Sequence, residues 1–327
     1  MPANLPPDYF EAERKYKQAS TVAERIAALE DLMATVPKHK GTDHLRADLR
    51  RRLSQLNKEA VEQRKRKGSG RDSLYNIPRE GAAQVALVGF ANSGKSSILA
   101  NLTKATPVIA DYPLSTVVPC PGMMPYEDIQ FQLVDLPPIA NETTDGWVSG
   151  IIRVADALLI VIDLVEDADI QMELILDQIG KWNIRTEKPK EGEYRALVKR
   201  ALVAANKSDR TGAAGNFEKL MAAYGGRYPL VALSCLKKDG LEDLKQQIFK
   251  LAGIIRVYSK PPGKDPDMSK PYVVPVGSTV MDVAEKVHKD FVTKLKFARI
   301  WGSAKFDGMR VERTHVLKDR DIIELNM

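Results

Sequence analysis

Cysteine is nearly absent: 327 residues carry only Cys120 and Cys235, far apart and in no metal-ligand spacing. That argues against a disulfide framework and a thiolate metal site, and two reduced thiols suit the cytoplasm. No stretch approaches eighteen uninterrupted apolar residues, so no membrane span is expected. The opening "MPANLPPDYFEAERKYK" lacks the basic stretch and apolar core of a secretory signal. Histidine is scarce too. His39, His44, His288 and His315 are scattered, away from residues 89–97, 135 and 206–209, and read as surface or packing residues. The formal net charge is only +6, a weak pointer to an anionic partner whose meaning depends on where the charge sits.

The chain reads as three blocks, divided as residues 1–80, 81–253 and 254–327. In the first, Ile26, Leu29, Leu32 and Met33 recur at helical spacing, "VPKHKGTD" breaks the run, and Leu45, Leu49, Leu53 and Leu56 resume it. Two amphipathic helices joined by a turn fit. The second helix carries a leucine stripe and a dense basic face ending in "KRKGSGR". It reads either as a solvated face with a flexible linker or as an arm on RNA phosphates, where clustered cations gain from counterion release.

The middle block alternates helical runs with "QVALVGF", "FQLVDLP", "ALLIVIDL", "ALVAANKSD" and "YPLVALSC". Runs apolar on both faces suit a buried parallel sheet, so a doubly wound, mostly parallel α/β domain is expected, with ligands at the strands' C-terminal ends. The last block, of about seventy residues, suggests a small β-rich module with one helix after "GST".

Gly89 to Ser97, "GFANSGKSS", places G-x-x-x-x-G-K-S after a strand and before a helical run, the setting of a P-loop. There the backbone N–H groups around Gly89, Asn92, Ser93, Gly94 and Ser97 cradle phosphate oxygens. Lys95 reaches the terminal phosphates, the Ser96 hydroxyl ligates Mg2+, and the helix N-terminus adds its positive end. Asp135, ending the next strand, is placed to hold the magnesium shell. Asn206, Lys207 and Asp209 form N-K-x-D at a further strand end. A carboxylate there accepts from the N1–H and N2–H₂ edge of guanine, which adenine lacks, so the nucleotide is GTP or GDP. Ser234 and Cys235 would bring backbone N–H groups past the guanine O6.

With "DYPLSTVVPCPGMM", "FQLVDLPP", "NKSD" and "SCLKKDGLEDL", the P-loop stretch resembles the Obg superfamily of GTPases. The tail, with "RVYSKPPG", "VGSTVMDVAEKVHKDF" and "WG" in that order, resembles the TGS domain closing its developmentally regulated, or DRG, branch. The resemblance covers nearly the whole chain and implies a P-loop GTPase domain between a helical hairpin and a β-grasp-like TGS domain. It implies that Thr116 reaches Mg2+ and the γ-phosphate as a catalytic partner of Lys95. It also implies that Asn92 helps hold a K+ ion near the β- and γ-phosphates.

One position departs from the family pattern, and its neighbour departs from Ras-type enzymes. Pro138 stands where relatives carry a glycine whose N–H senses the γ-phosphate, and proline has no N–H. Ile139 stands where Ras-type enzymes carry a water-orienting glutamine, as is usual in the Obg group. The spacing from Asp135 to Asn206 also leaves no room for the inserted domain of eukaryotic DRG proteins, so the resemblance is to a trimmed form. The expectation is a cytoplasmic, monomeric GTP-binding protein without a membrane association. Its GTPase would be slow and K+-stimulated, acting on the ribosome or structured RNA with a regulatory protein partner. The alternative is a nucleotide-binding adaptor that does not hydrolyse GTP.

Overall fold

A computed structural model of the chain describes residues 77–105, 118–139, 146–187 and 196–326, with isolated positions from 14 to 49. The chain forms two compact units, residues 1–76 and 77–327. The expected N-terminal hairpin lies largely outside the described residues. Of the residues described there, Leu29, Leu32, Met33 and Leu49 are helical, and the three leucines are buried.

The second unit begins with the nucleotide-type domain. Strands β1 (Gln84–Val88), β2 (Cys120–Tyr126), β3 (Ile129–Asp135) and β4 (Ala157–Asp163) belong to its main sheet. A small two-stranded ladder of β5 (Ile184–Arg185) and β6 (Leu197–Val198) stands apart, and β7 (Arg200–Asn206) and β8 (Leu230–Ala232) return to the main sheet. That sheet runs β2-β3-β1-β4-β7-β8, with all pairs parallel except the antiparallel β2–β3 hairpin. All residues of β1 and β4 are buried, as strands covered on both faces must be. Alternate side chains serve two cores. Ala86 and Val88 pack with α2 (Gly146–Val154), α3 (Ala168–Lys181) and α4 (Ala213–Tyr224), while Val85 and Leu87 pack with α1 (Lys95–Leu102) and α5 (Leu241–Ala252).

The five apolar runs of the middle block are therefore the five parallel strands, β1, β3, β4, β7 and β8. Strand β2 is not legible in the sequence, because "CPGMMPY" holds two prolines and a glycine. It survives as the sheet's edge, where an unpaired side tolerates proline. Gly122 also fits for want of space: a Cβ there would lie 2.5 Å from Thr103 Oγ1.

The C-terminal domain is a second sheet, β10-β9-β13-β11-β12, made of β9 (Ile254–Ser259), β10 (Tyr272–Pro275), β11 (Phe297–Trp301), β12 (Met309–Val311) and β13 (Asp321–Asn326). Parallel β9–β13 pairing between antiparallel neighbours gives the β-grasp arrangement. Helix α6 (Val280–Val287) follows "GST" as expected. Its start is fixed by a reciprocal capping box between Thr279 and Asp282, and Val280, Val283 and Ala284 enter the core. His288 caps the following α7 (Lys289–Lys294), its Nδ1 accepting from the Asp290 N–H at 3.2 Å.

Arg256 of β9 joins the two domains. Only 3% of it is exposed, yet its guanidinium meets Glu127 and, at 2.7 Å, Asp128 at the tip of the β2–β3 hairpin. It also pairs with Asp319 at 2.7 Å and lies 4.9 Å over the Phe249 ring of α5. Tyr258 donates to Asp128 at 2.5 Å, and Arg320 pairs with Glu127 at 2.6 Å.

Candidate functional site

Loop 89–94 leaves the C-terminal end of β1 and runs directly into α1. It packs closely enough to require both of its glycines. A Cβ at Gly89 would meet the Val161 carbonyl of β4 at 2.5 Å. Gly94 has φ +97°, and a Cβ there would lie 2.0 Å from Asn206 Nδ2. No side chain caps α1 and no acidic residue occupies its first turn, so its N-terminal end is left free for an anion.

Lys95 is buried and folded over the loop, donating to the carbonyls of Gly89 at 3.1 Å and Phe90 at 2.8 Å. Burial brings its pKa down to about 8, against an opposing pull from Asp135. Ser93 donates to Phe90 O at 3.0 Å. The Ser97 carbonyl accepts from Asn101 at 2.8 Å. Asn92, exposed and with φ +60°, makes no side-chain hydrogen bond among the described residues.

At the end of β3, Asp135 is fully buried. One carboxylate oxygen accepts from Ser96 Oγ at 2.5 Å, while the other, Oδ1, has no partner. Burial pushes its pKa up, opposed by the Ser96 hydrogen bond and by Lys95. A buried, unpaired carboxylate oxygen beside a hydroxyl fits a divalent cation whose remaining ligands come from outside the chain. Among the described residues no group of three or more His, Cys, Asp or Glu gathers to hold a metal unaided.

Asn206, ending β7, is the stitch between two loops. Its Nδ2 donates to the Ser93 carbonyl at 3.0 Å, and its Oδ1 accepts from the Cys235 N–H at 3.2 Å. Its side chain therefore positions the phosphate loop against the 234–239 turn. Lys207, at φ +65°, pairs at 2.5 Å with Asp163 at the end of β4. Asp163 is absent from the residues singled out in the sequence, though an acid closing the apolar run "ALLIVID" is a visible signal. Asp209 accepts from Ser234 Oγ at 2.6 Å, which lowers its pKa although burial acts the other way. Its second oxygen lies 3.8 Å from Arg210.

The backbone donors of the 234–239 turn are distributed differently from the sequence expectation. Ser234 N–H is spent on Asp239 O at 3.0 Å and Cys235 N–H on Asn206. Leu236 N–H has no partner among the described residues, and its side chain is exposed. Cys235 is a free thiol whose pKa burial, aided by Asp209, pushes up to about 12. It is inert as a nucleophile.

Residues 84–206 match the family described as 50S ribosome-binding GTPase, and residues 255–327 match the TGS domain. The chain is 28% identical over 366 aligned positions to an uncharacterized GTP-binding protein of Methanocaldococcus jannaschii, covering 93% of this chain and 92% of that one. It is 26% identical over 363 positions to developmentally-regulated GTP-binding protein 1 of Xenopus laevis, covering 92% and 98%. The chain belongs to the DRG-like GTP-binding proteins. A Schizosaccharomyces pombe YchF GTPase shares the fold, with a TM-score of 0.52 at 12% identity, over 77% of this chain and all of that one.

In this DRG-like protein the P-loop, Asp135 and the N-K-x-D residues converge at the C-terminal ends of β1, β3 and β7. Thr116 lies outside the described residues. Ile139 is 1% exposed and packs in the core of the DRG-like nucleotide domain, while its N–H donates to Gly89 O at 3.1 Å. An aliphatic side chain held there cannot point a water at phosphate.

Proposed function

We propose that this DRG-like protein is a magnesium-dependent GTP/GDP switch with slow, potassium-stimulated hydrolysis, working on the ribosome or another structured RNA. The observation that carries the reading is Asp135 Oδ1, buried and unpaired beside Ser96 under the phosphate loop. Ser96, Thr116 and the shell ordered by Asp135 would hold the cation, which when bound offsets the charge of the β- and γ-phosphates. Lys95 exchanges its two loop carbonyls for phosphate oxygens, and the free N-terminal end of α1 supplies backbone donors. Asp209 reads guanine with the oxygen that Ser234 leaves open, while Asn206 holds the two loops in register. The partner-free Leu236 N–H is the donor available to guanine O6.

Among the described residues nothing acts as a strong base toward water. With Ile139 buried and Pro138 lacking an N–H, intrinsic turnover falls well below the roughly 1–100 per second typical of kinases. Asn92, exposed and without a side-chain hydrogen bond among the described residues, is the residue through which K+ would act. The cytoplasm is proposed from the two free thiols, and a monomer regulated by a protein partner is the working form.

GTP turnover by the purified protein in potassium and in sodium, with GDP and GTP affinities alongside, tests this. Faster turnover in potassium, lost in Asn92→Ala, supports it. Tight binding without turnover in either salt, and equal GDP and GTP affinities, would instead establish the non-hydrolysing adaptor that Pro138 and Ile139 favour.

A further inference from the structure

Strand β4 ends between two parts of the nucleotide site. It pairs with β1, which leads into the phosphate loop, and with β7, which leads into N-K-x-D. Its last residue, Asp163, stands in register with Asn206 and is buried. A buried carboxylate is costly unless its charge is met, so each of its oxygens calls for a reason. Oδ1 accepts from the Val165 N–H at 2.9 Å and shapes the turn after the strand, a bond that an asparagine would serve equally well. Oδ2 takes the Lys207 ammonium at 2.5 Å, and that calls for an ionised acid.

Asp163 is itself held from behind. The Gln171 amide on α3, also buried, donates to the Asp163 carbonyl at 2.9 Å and accepts from the Asp163 N–H at 3.0 Å. Asn216 on α4 donates to the Leu164 carbonyl at 2.9 Å, and the Leu164 N–H closes on the Asn206 carbonyl at 3.0 Å. Two helices therefore fix the acid before any ligand arrives. Lys207 is the adaptable member of the pair, partly exposed and on a four-carbon stem. It stands two residues from Asp209. An unanchored ammonium there would be drawn to the carboxylate oxygen that Ser234 leaves open, and would compete with the N–H donors of guanine. Anchored on Asp163, Lys207 leaves that oxygen to the base, and its stem spans the ends of β7 and β4.

We propose that Asp163 is a positioning residue of the guanine subsite, acting through Lys207 by holding its ammonium away from Asp209. The proposal rests on the guanine-nucleotide reading above and adds to it a residue that touches no part of the nucleotide.

The test is competition of GDP and IDP against fluorescent N-methylanthraniloyl-GDP on the full chain. It compares wild type, Asp163→Asn, Lys207→Met and the double variant, with nucleotide-free urea unfolding as the check on folding. Asp163→Asn keeps an acceptor for the Val165 N–H and loses the ion pair. It should weaken GDP by about tenfold or more. It should also narrow the preference for GDP over IDP, whose base lacks the N2–H₂ group. The double variant should recover that preference, since no ammonium is left to occupy Asp209. Its GDP affinity should lie within about twofold of Lys207→Met alone, because Asp163 then has nothing to position. Should Asp163→Asn fail to fold, Gln171→Met, which frees the Asp163 backbone and keeps both charges, takes its place with the same expected directions. Equal losses with and without Lys207, or a narrowed preference that the double variant does not recover, would overturn the role. So would an Asp163→Asn protein with wild-type affinity and preference. A folded wild type that binds neither GDP nor GTP would overturn the guanine-nucleotide reading itself.

Discussion

Replacing Arg256 by alanine tests whether the TGS domain is held to the nucleotide domain by charge. The guanidinium is 3% exposed and engages Glu127, Asp128 and Asp319. Removing it leaves three carboxylates facing one another. Breaking a buried ion pair from one side costs about 3–5 kcal/mol, and loss of the ring contact with Phe249 adds to that. A unit of this size loses roughly 2–4 °C of Tm per kcal/mol, so a melt should fall by about 6–20 °C. The pH dependence carries a sign. Glu127 is held below the usual carboxylate range by hydrogen bonds from Arg256 and Arg320. At Asp128 burial pulls upward but Tyr258 and Arg256 win, and at Asp319 burial is likewise outweighed by Arg256. Depressed folded pKa values mean stabilisation that is fully present above the ordinary carboxylate pKa of about 4 and lost as pH falls through the folded values. The gap between wild type and Arg256→Ala should therefore be widest above about pH 5 and close in acid. A loss under about 1 kcal/mol, or one that persists unchanged at low pH, would refute the reasoning.

Three further outcomes are expected. Asp135→Asn removes a buried charge whose pKa burial has raised, so the nucleotide-free protein should keep or gain stability while magnesium-dependent GTP affinity collapses. Urea unfolding beside nucleotide titration reads both. Gly94→Ala drives a Cβ to 2.0 Å from Asn206 at a φ of +97°, and calorimetric titration should find nucleotide binding abolished. Asn206→Ala strands the Ser93 carbonyl and the Cys235 N–H, at about 1–3 kcal/mol, and should weaken GTP and GDP equally, a loss confined to GTP being the contrary result.

Local chemistry makes the nucleotide residues readable from residue type and spacing. A P-loop needs glycines at fixed offsets and a lysine at its end, and these residues follow a buried strand whose apolar run is visible in "QVALV". The five parallel strands are legible for the same reason, since burial on both faces leaves an uninterrupted apolar run. Strand β2 is not, because its identity comes from lying beside β3 and not from its own proline-containing sequence. The double role of Asn206 and the Arg256 cluster are hidden too. Glu127 and Arg256 are 129 residues apart, and no periodicity links them. The sequence by itself determined which residues could bind phosphate and guanine, because that is written along one strand–loop–helix and one strand end. Only the tertiary structure decided which polar groups are already satisfied and which, like Asp135 Oδ1, are left over, because a hydrogen bond or ion pair depends on distance in space.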